Sequence, residues 1–300
     1  MIWLYRFVSL LGLAVMLGIA WALSENRRKF PARTVLWGIG LQLLVGAVLL
    51  PWEPLRARVF DAANGFVSVL TRSGNHGASF LFGKLTTDFQ FTQVGSHNAL
   101  MAFSALPVIV FVSALSAVLY HYGVIQAVVR GMARLMQRTM RISGAEALTS
   151  ALLVFFGVES TTAVGEYIRR MTRSEIFTVM AAFMATIAGS VMVVYAGFGA
   201  EPGHLITASL MSAPAAIVIA KLMIPETGEP ATVGAAEFKP PRETANLVDA
   251  AASGAAQGMR LALNIAAMLI AFVGIVYLVN IGLGAIPWKP GGQPLSLQLV

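Results

Sequence analysis

The sequence predicts an all-α, polytopic membrane protein with about six transmembrane helices, one complete re-entrant helical hairpin and two interfacial amphipathic helices. Three observations lead there. Hydrophobic residues fill 57% of the 300 positions and charged residues only 12%, whereas roughly a quarter of a soluble domain is charged. The apolar residues gather into runs of about 20, the length that one bilayer crossing takes. Between residues 143 and 175, two helix-start signatures enclose an apolar stretch that is too short to cross twice and is interrupted in its middle.

The first run, Ile2 to Leu23, is longer than the roughly 7 to 15 apolar residues of a secretory signal, so it reads as a spanning anchor. Arg27, Arg28, Lys29 and Arg33 follow it, and such a cluster stays in the cytoplasm, which puts the N terminus outside. Thr34 to Trp52 returns across the membrane, and Pro51 and Pro54 end that helix in an aqueous segment, 54–96. Val59, Phe60, Phe66, Val69 and Leu70 recur there at near-helical spacing, which predicts an amphipathic helix on the outer face. The Gly-, Ser- and Asn-containing stretch 73–78 reads as a turn. Asn98 to Tyr120 crosses inward with a kink expected at Pro107. In Val124 to Arg141, Arg130, Arg134 and Arg138 form one stripe beside apolar positions, the pattern of a helix lying in the cytoplasmic interface.

Ser143 with Glu146, and Thr172 with Glu175, have the spacing of capping boxes, so helices are expected to start near 144 and 173. Gly157 to Thr162 interrupts the segment between them, which therefore dips into the membrane and returns to the side marked by Arg169, Arg170 and Arg173. Non-helical backbone at membrane depth is tolerated only where protein buries it or where it lines a wetted cavity. That points to a ligand pathway, and hence to a transporter. Phe177 to Phe198 then crosses outward, and Leu205 to Met223 crosses back with a kink at Pro214. The Pro-, Gly- and Glu-rich stretch from Pro225 to Asp249 reads as a linker, and Leu261 to Ile286 crosses outward again. All six crossings agree with one orientation under the positive-inside rule. The chain divides into scaffold helices and external helix (1–97), a region holding the third helix, the cytoplasmic interfacial helix, the re-entrant hairpin that forms the gate and two following helices (98–225), a cytoplasmic linker (226–260), and a sixth helix with the start of a second hairpin (261–300).

Several functions are excluded at this level. Without cysteine there is no disulfide, thiol nucleophile or thiolate metal site. The net charge of +7 comes from basic residues at the ends of apolar runs, so it orients helices and does not signal nucleic acid. His76, His97, His121 and His204 fall at expected helix ends or in aqueous turns, with no metal-ligand spacing. Ser160 lacks the Gly-x-Ser-x-Gly turn of a serine hydrolase and has no neighbouring histidine. No cofactor and no enzymatic activity are expected.

From about residue 98 onward the chain resembles the concentrative nucleoside transporter family. The resemblance rests on Ala105-Leu-Pro-Val-Ile-Val-Phe, Ile142-Ser-Gly-Ala-Glu-Ala-Leu, Met171-Thr-Arg-Ser-Glu-Ile-Phe, Met184-Ala-Thr-Ile-Ala-Gly-Ser-Val, the run from Gly203 to Ala215, and Leu295-Ser-Leu-Gln-Leu, in the family's order and spacing. It implies a homotrimeric carrier in the plasma (inner) membrane that imports nucleosides with sodium or protons. It also implies two opposed hairpins, and a gate that shifts against scaffold helices 1, 2, 3 and 6. The nucleobase would meet the first hairpin tip and the adjacent unwound helix, while ribose would meet the second hairpin, of which Leu295 to Val300 looks like the opening. A protein that keeps the gate fold for a structural or signalling purpose without transporting is the alternative.

Two departures from the family bear on the site. Its commonest first tip reads Gly-Gln-Thr-Glu-Ala-Pro, with an asparagine four residues earlier; here the tip is Gly157-Val158-Glu159-Ser160-Thr161-Thr162 and Leu153 takes the asparagine position. The substrate contacts implied are Gly157, Val158, Glu159 and Ser160. The cation positions implied are Phe156, Thr186 and Ile187, with Glu159 as a proton carrier. Leu153 supplies no side-chain oxygen, and a hard cation prefers about six oxygens, so the sodium reading is weakened and a proton on Glu159, a carboxylate that is costly to keep charged at membrane depth, is the substitute. Glu159 has a plainer reading as a cap for the returning helix, and Thr186 as a residue bonded back to its own helix. Glu166 is expected to pair with Arg169 and Arg170.

Overall fold

The computed structural model describes residues 2–49, 53–83, 86, 101–153, 168, 171–197, 199–231, 244–284, 286 and 295–297. Among these the regular structure is all helical: α1 (Ile2–Ala22), α2 (Ala32–Leu49), α3 (Glu53–Phe82), α4 (Met101–His121), α5 (Val124–Met140), α6 (Gly144–Leu153), α7 (Arg173–Ala185), α8 (Gly189–Gly197), α9 (Pro202–Met223) and α10 (Leu247–Gly284). By length and composition the stretch Arg173–Gly197, α9 and α10 can each cross a membrane, and the count reaches five if two bent helix pairs are taken as spans.

The two expected helix starts form as capping boxes. Ser143 N donates to Glu146 Oε2 (3.1 Å) while Glu146 N donates to Ser143 Oγ (3.2 Å). Thr172 N donates to Glu175 Oε2 (2.6 Å) and Glu175 N to Thr172 Oγ1 (3.2 Å). Helix α5 is amphipathic as expected: Gln126, Val129, Ala133, Met136 and Met140 are buried, while Arg130, Arg134 and Arg138 are exposed. It meets α4 at a bend of 77°, which Gly123 makes with a φ of 81°, a left-handed conformation that costs glycine little.

Three elements differ from the sequence expectation. No turn occurs at 73–78, because α3 runs through it from Glu53 to Phe82. Gly74 belongs to the buried stripe Ala63, Val67, Leu70, Gly74, Ala78, and a β-carbon there would sit 3.1 Å from Val108 Cα on α4; the glycine serves close packing. His76 consequently lies on the exposed face of a continuous helix. The apolar pattern alone reads one span from Phe177 to Phe198, but the structure has two helices separated by 186–188, the unwinding that the family resemblance implies at Thr186 and Ile187. The last helix starts at Leu247, well before Leu261, with Asn246 Oδ1 accepting from Asp249 N (2.9 Å) at its beginning. Helices α4 and α9 each run on past Pro107 and Pro214.

Two cores organise the bundle. The larger joins Ala20 of α1, Val129, Ala133, Met136 and Met140 of α5, Ala147, Leu148, Ala151 and Leu152 of α6, and Ala213, Ile217, Val218 and Leu222 of α9. The second joins α3, α4 and α8 through Val67, Leu70, Val108, Val112 and Val193. Helix α10 lies along α4 on a stripe of small residues, Ala250, Gly254, Gly258 and Ala262, its four buried positions. A β-carbon on Gly254 would fall 2.6 Å from Ala117 Cβ, and one on Gly258 2.7 Å from Ser113 Cβ, so the two backbones approach as in Gly-x-x-x-Gly packing. Beyond Ala262 the helix is exposed along most of its length.

Candidate functional site

The expected site divides into a described and an undescribed part. Phe156, Gly157, Val158, Glu159 and Ser160 lie outside the described residues, as do Glu166, Arg169 and Arg170. Thr186 and Ile187 are described, both half-buried, in the break between α7 and α8.

At that break Thr186 is extended (φ −103°, ψ 154°), and its N–H closes the last turn of α7 on Ala182 O. The final carbonyls of α7 and the first amides of α8 therefore lack helical partners. The C-terminal end of α7 carries partial negative charge and the N-terminal end of α8 partial positive charge, so one point in the chain presents acceptors to a cation and donors to a polar solute. Thr186 Oγ1 lies 2.9 Å from Ala182 O and 3.2 Å from Leu153 O. Its single proton serves one carbonyl at a time. Thr186 thus bonds back within its own helix, the plainer of its two readings, and it also touches the end of α6.

Leu153 is buried and packs its side chain with Ala182 and Ala216, so the asparagine position of the family is filled here by apolar contact while its carbonyl stays turned toward Thr186. The Leu153 carbonyl and the Thr186 hydroxyl are two hard oxygens brought together from different helices. Such a pair can contribute to an alkali-cation shell that further carbonyls or water complete.

A second polar centre sits at the opposite ends of α6 and α7. Lys221, 5% exposed, extends from α9 and places Nζ 2.5 Å from Glu146 Oε1, 2.9 Å from Ser174 Oγ and 3.3 Å from Glu226 Oε2. Three protons meet three acceptors. Ser174 Oγ in turn donates to Ile224 O (2.6 Å), Thr172 Oγ1 donates to Glu226 Oε2 (2.8 Å), and Gly228 N donates to Glu226 Oε1 (3.0 Å). The starts of α6 and α7 are thereby held together at one end of the molecule. Sequence reasoning missed Lys221. The signal was an ionisable residue inside an apolar span with Glu226 five residues on, a combination that is costly in lipid unless paired.

The same end of the molecule collects the basic residues. Arg173 pairs with Glu25 (2.6 Å), Glu25 N donates to Met223 O (2.9 Å), and Arg33 donates to Thr139 O (3.2 Å) and Arg138 O (3.1 Å) at the end of α5. His121 Nδ1 lies 2.8 Å from Thr244 Oγ1, and His204 pairs with Glu201 at 3.2 Å, both among exposed residues.

Comparison with known proteins fits this arrangement. Residues 11–85 match the family model "Na+ dependent nucleoside transporter N-terminus", residues 102–202 match "Nucleoside recognition", and residues 204–300 match "Na+ dependent nucleoside transporter C-terminus". An uncharacterized transporter of Haemophilus influenzae is 39% identical over 293 residues, covering 97% of this chain and 69% of its own length. Solute carrier family 28 member 3 of Mus musculus is 39% identical over 98% of this chain and 41% of its own. A solved structure described as CNTnw in an inward-facing substrate-bound state superposes with a TM-score of 0.87 at 38% identity, over 97% of this chain and 68% of the other. The chain thus spans about two thirds of its bacterial relatives and well under half of the mouse protein. With the three family models following one another along nearly its whole length, and with relatives that are transporters and not enzymes, the chain belongs to the family of Na+-dependent, concentrative nucleoside transporters.

Proposed function

We propose that a carrier containing this chain imports nucleosides in symport with sodium, by alternating access in which the hairpin-bearing gate that begins at α6 moves against the scaffold helices α1, α2, α4 and α10. The observation that carries the reading is the 3.2 Å approach of Thr186 Oγ1 to the Leu153 carbonyl at a helix break, an oxygen pair suited to a cation beside helix-start amides that have no partner within their own helix. Thr186, Ile187 and Phe156 serve the cation in this reading. Gly157, Val158, Glu159 and Ser160 contact the nucleobase, with Glu159 the residue through which a proton would replace sodium. Relatives named for the same chemistry support it, among them sodium/nucleoside cotransporter 1 of Mus musculus, 36% identical over 98% of this chain and 44% of its own. Matches to solved relatives in both inward-facing and outward-facing states support alternating access.

The carrier is placed in the plasma (inner) membrane with its N terminus outside. The gathering of Arg27, Arg28, Lys29, Arg33, Arg138 and Arg173 around the α1–α2 connection and the ends of α5 and α9 supports that orientation, since such residues stay cytoplasmic. A homotrimer is the proposed assembly, on the family resemblance alone.

The test is uptake of labelled uridine into vesicles holding the carrier, with sodium and proton gradients imposed separately. Sodium-driven uptake is expected. Thr186→Val keeps the side-chain shape and removes one oxygen, worth about 1–3 kcal/mol, so the half-saturating sodium concentration is expected to rise about 5- to 150-fold. Uptake driven by the proton gradient alone, and abolished by Glu159→Gln, would move the coupling to Glu159; no uptake under either gradient from folded protein would reject the transport reading.

A further inference from the structure

Helices α6 and α7 form two struts between the polar centres described above. Both start at the Lys221 network, α6 through Ser143 and Glu146 and α7 through Thr172 and Ser174. Both end where Thr186 meets Leu153. With 10 and 13 residues, at about 1.5 Å per residue, they reach roughly 15 and 20 Å from one centre to the other. The far ends carry the candidate cation oxygens, and the near ends are fastened by one ammonium group.

We propose that Lys221 is a positioning residue that sets the register of α6 against α7, and through it the spacing of the Leu153 carbonyl from Thr186. Glu146 belongs to one strut and Ser174 to the other, so Lys221 bridges them from a third helix. Glu226 completes the clamp by holding both Lys221 and Thr172. A buried, fully hydrogen-bonded charge centre tolerates few alternative geometries, because any slip leaves a buried charge or donor without its partner. Apolar contacts between α6 and α7 alone would leave that register looser. The site at the far end needs its oxygens held to within a fraction of an ångström.

The inference rests on the proposed cation role of Leu153 and Thr186 for its functional consequence, and its test separates the two. Because the chain contains no cysteine, Leu153→Cys with Ala182→Cys gives a reporter pair across α6 and α7, at positions whose side chains pack together. Disulfide formation by this pair is followed in the membrane-embedded carrier, with native Lys221 and Glu146 and in the double variant K221M/E146Q, which removes the principal ion pair together and so leaves neither partner alone. Folding is checked by monodispersity in detergent. In the folded double variant, cross-linking is expected to slow, and without the reporter cysteines the half-saturating sodium concentration for uridine uptake is expected to rise about fivefold or more, with the maximal rate little altered. Cross-linking at the native rate in the folded double variant would overturn the proposal whatever uptake does. If the native carrier moves no uridine, the transport reading fails while the cross-linking rates still decide the role of Lys221.

Discussion

Lys221 and Glu146 show what single side chains cost at this depth. Their side chains are 6% and 1% exposed, so removing only the ammonium leaves the Glu146 carboxylate buried without its cation. Breaking a buried pair from one side costs about 3–5 kcal/mol. Lys221→Met alone is therefore expected to lower the melting temperature in detergent more than K221M/E146Q does, and equal melting temperatures would contradict the pairing. The capping glutamates were legible in the sequence because a Ser/Thr-x-x-Glu box is local and its geometry follows from its spacing. For Lys221 only the nearby Glu226 was a local sign, since Glu146 and Ser174 come from α6 and α7 and no local rule brings those to it. The break at Thr186 was legible only through family resemblance, because its residues are as apolar as the helices around it.

At the scale of elements, glycine was the misleading residue. In α3 it was read as a turn and in α10 as part of a linker, yet Gly74, Gly254 and Gly258 each face a neighbouring helix at close range. Small residues four apart, Ala250, Gly254, Gly258 and Ala262, were the available sign of an interhelical seam, and composition concealed it. Gly258→Leu drives a side chain against Val110 Cα and Ser113 of α4, where a β-carbon alone would stand 2.8 and 2.7 Å away. Overpacking of this kind costs about 1–3 kcal/mol or more, so a lowered melting temperature is expected. Gly274→Ala, which meets open space, is expected to change it little. The amphipathic pattern of α5 was fully legible, because three arginines at a spacing of four oppose apolar positions that the bundle must bury.

Over the whole molecule, the long-range contacts that collect Glu25, Arg33, Arg173 and Met223 at one end make a topological claim that labelling can check. A single cysteine introduced by Arg28→Cys is expected to react with a membrane-impermeant maleimide in inverted vesicles and to stay unreactive in intact cells. The reverse pattern would invert the orientation. Fold class was readable from apolar run length alone. The chemistry of the tip at 157–162 was not, because five of its six residues differ from the family's commonest pattern.

Helix α10 has one further physical consequence. Its 38 residues, at about 1.5 Å each, make a rod of roughly 57 Å, against a hydrocarbon layer of about 30 Å. Its apolar part, Leu261 to Gly284, is about 36 Å long, so the more polar first turns project beyond the hydrocarbon while the rest tilts as packing and bilayer thickness together allow. Because α4 rides on its small-residue flank, a thinner bilayer would tip both together, making the membrane's own thickness a mechanical input to this protein.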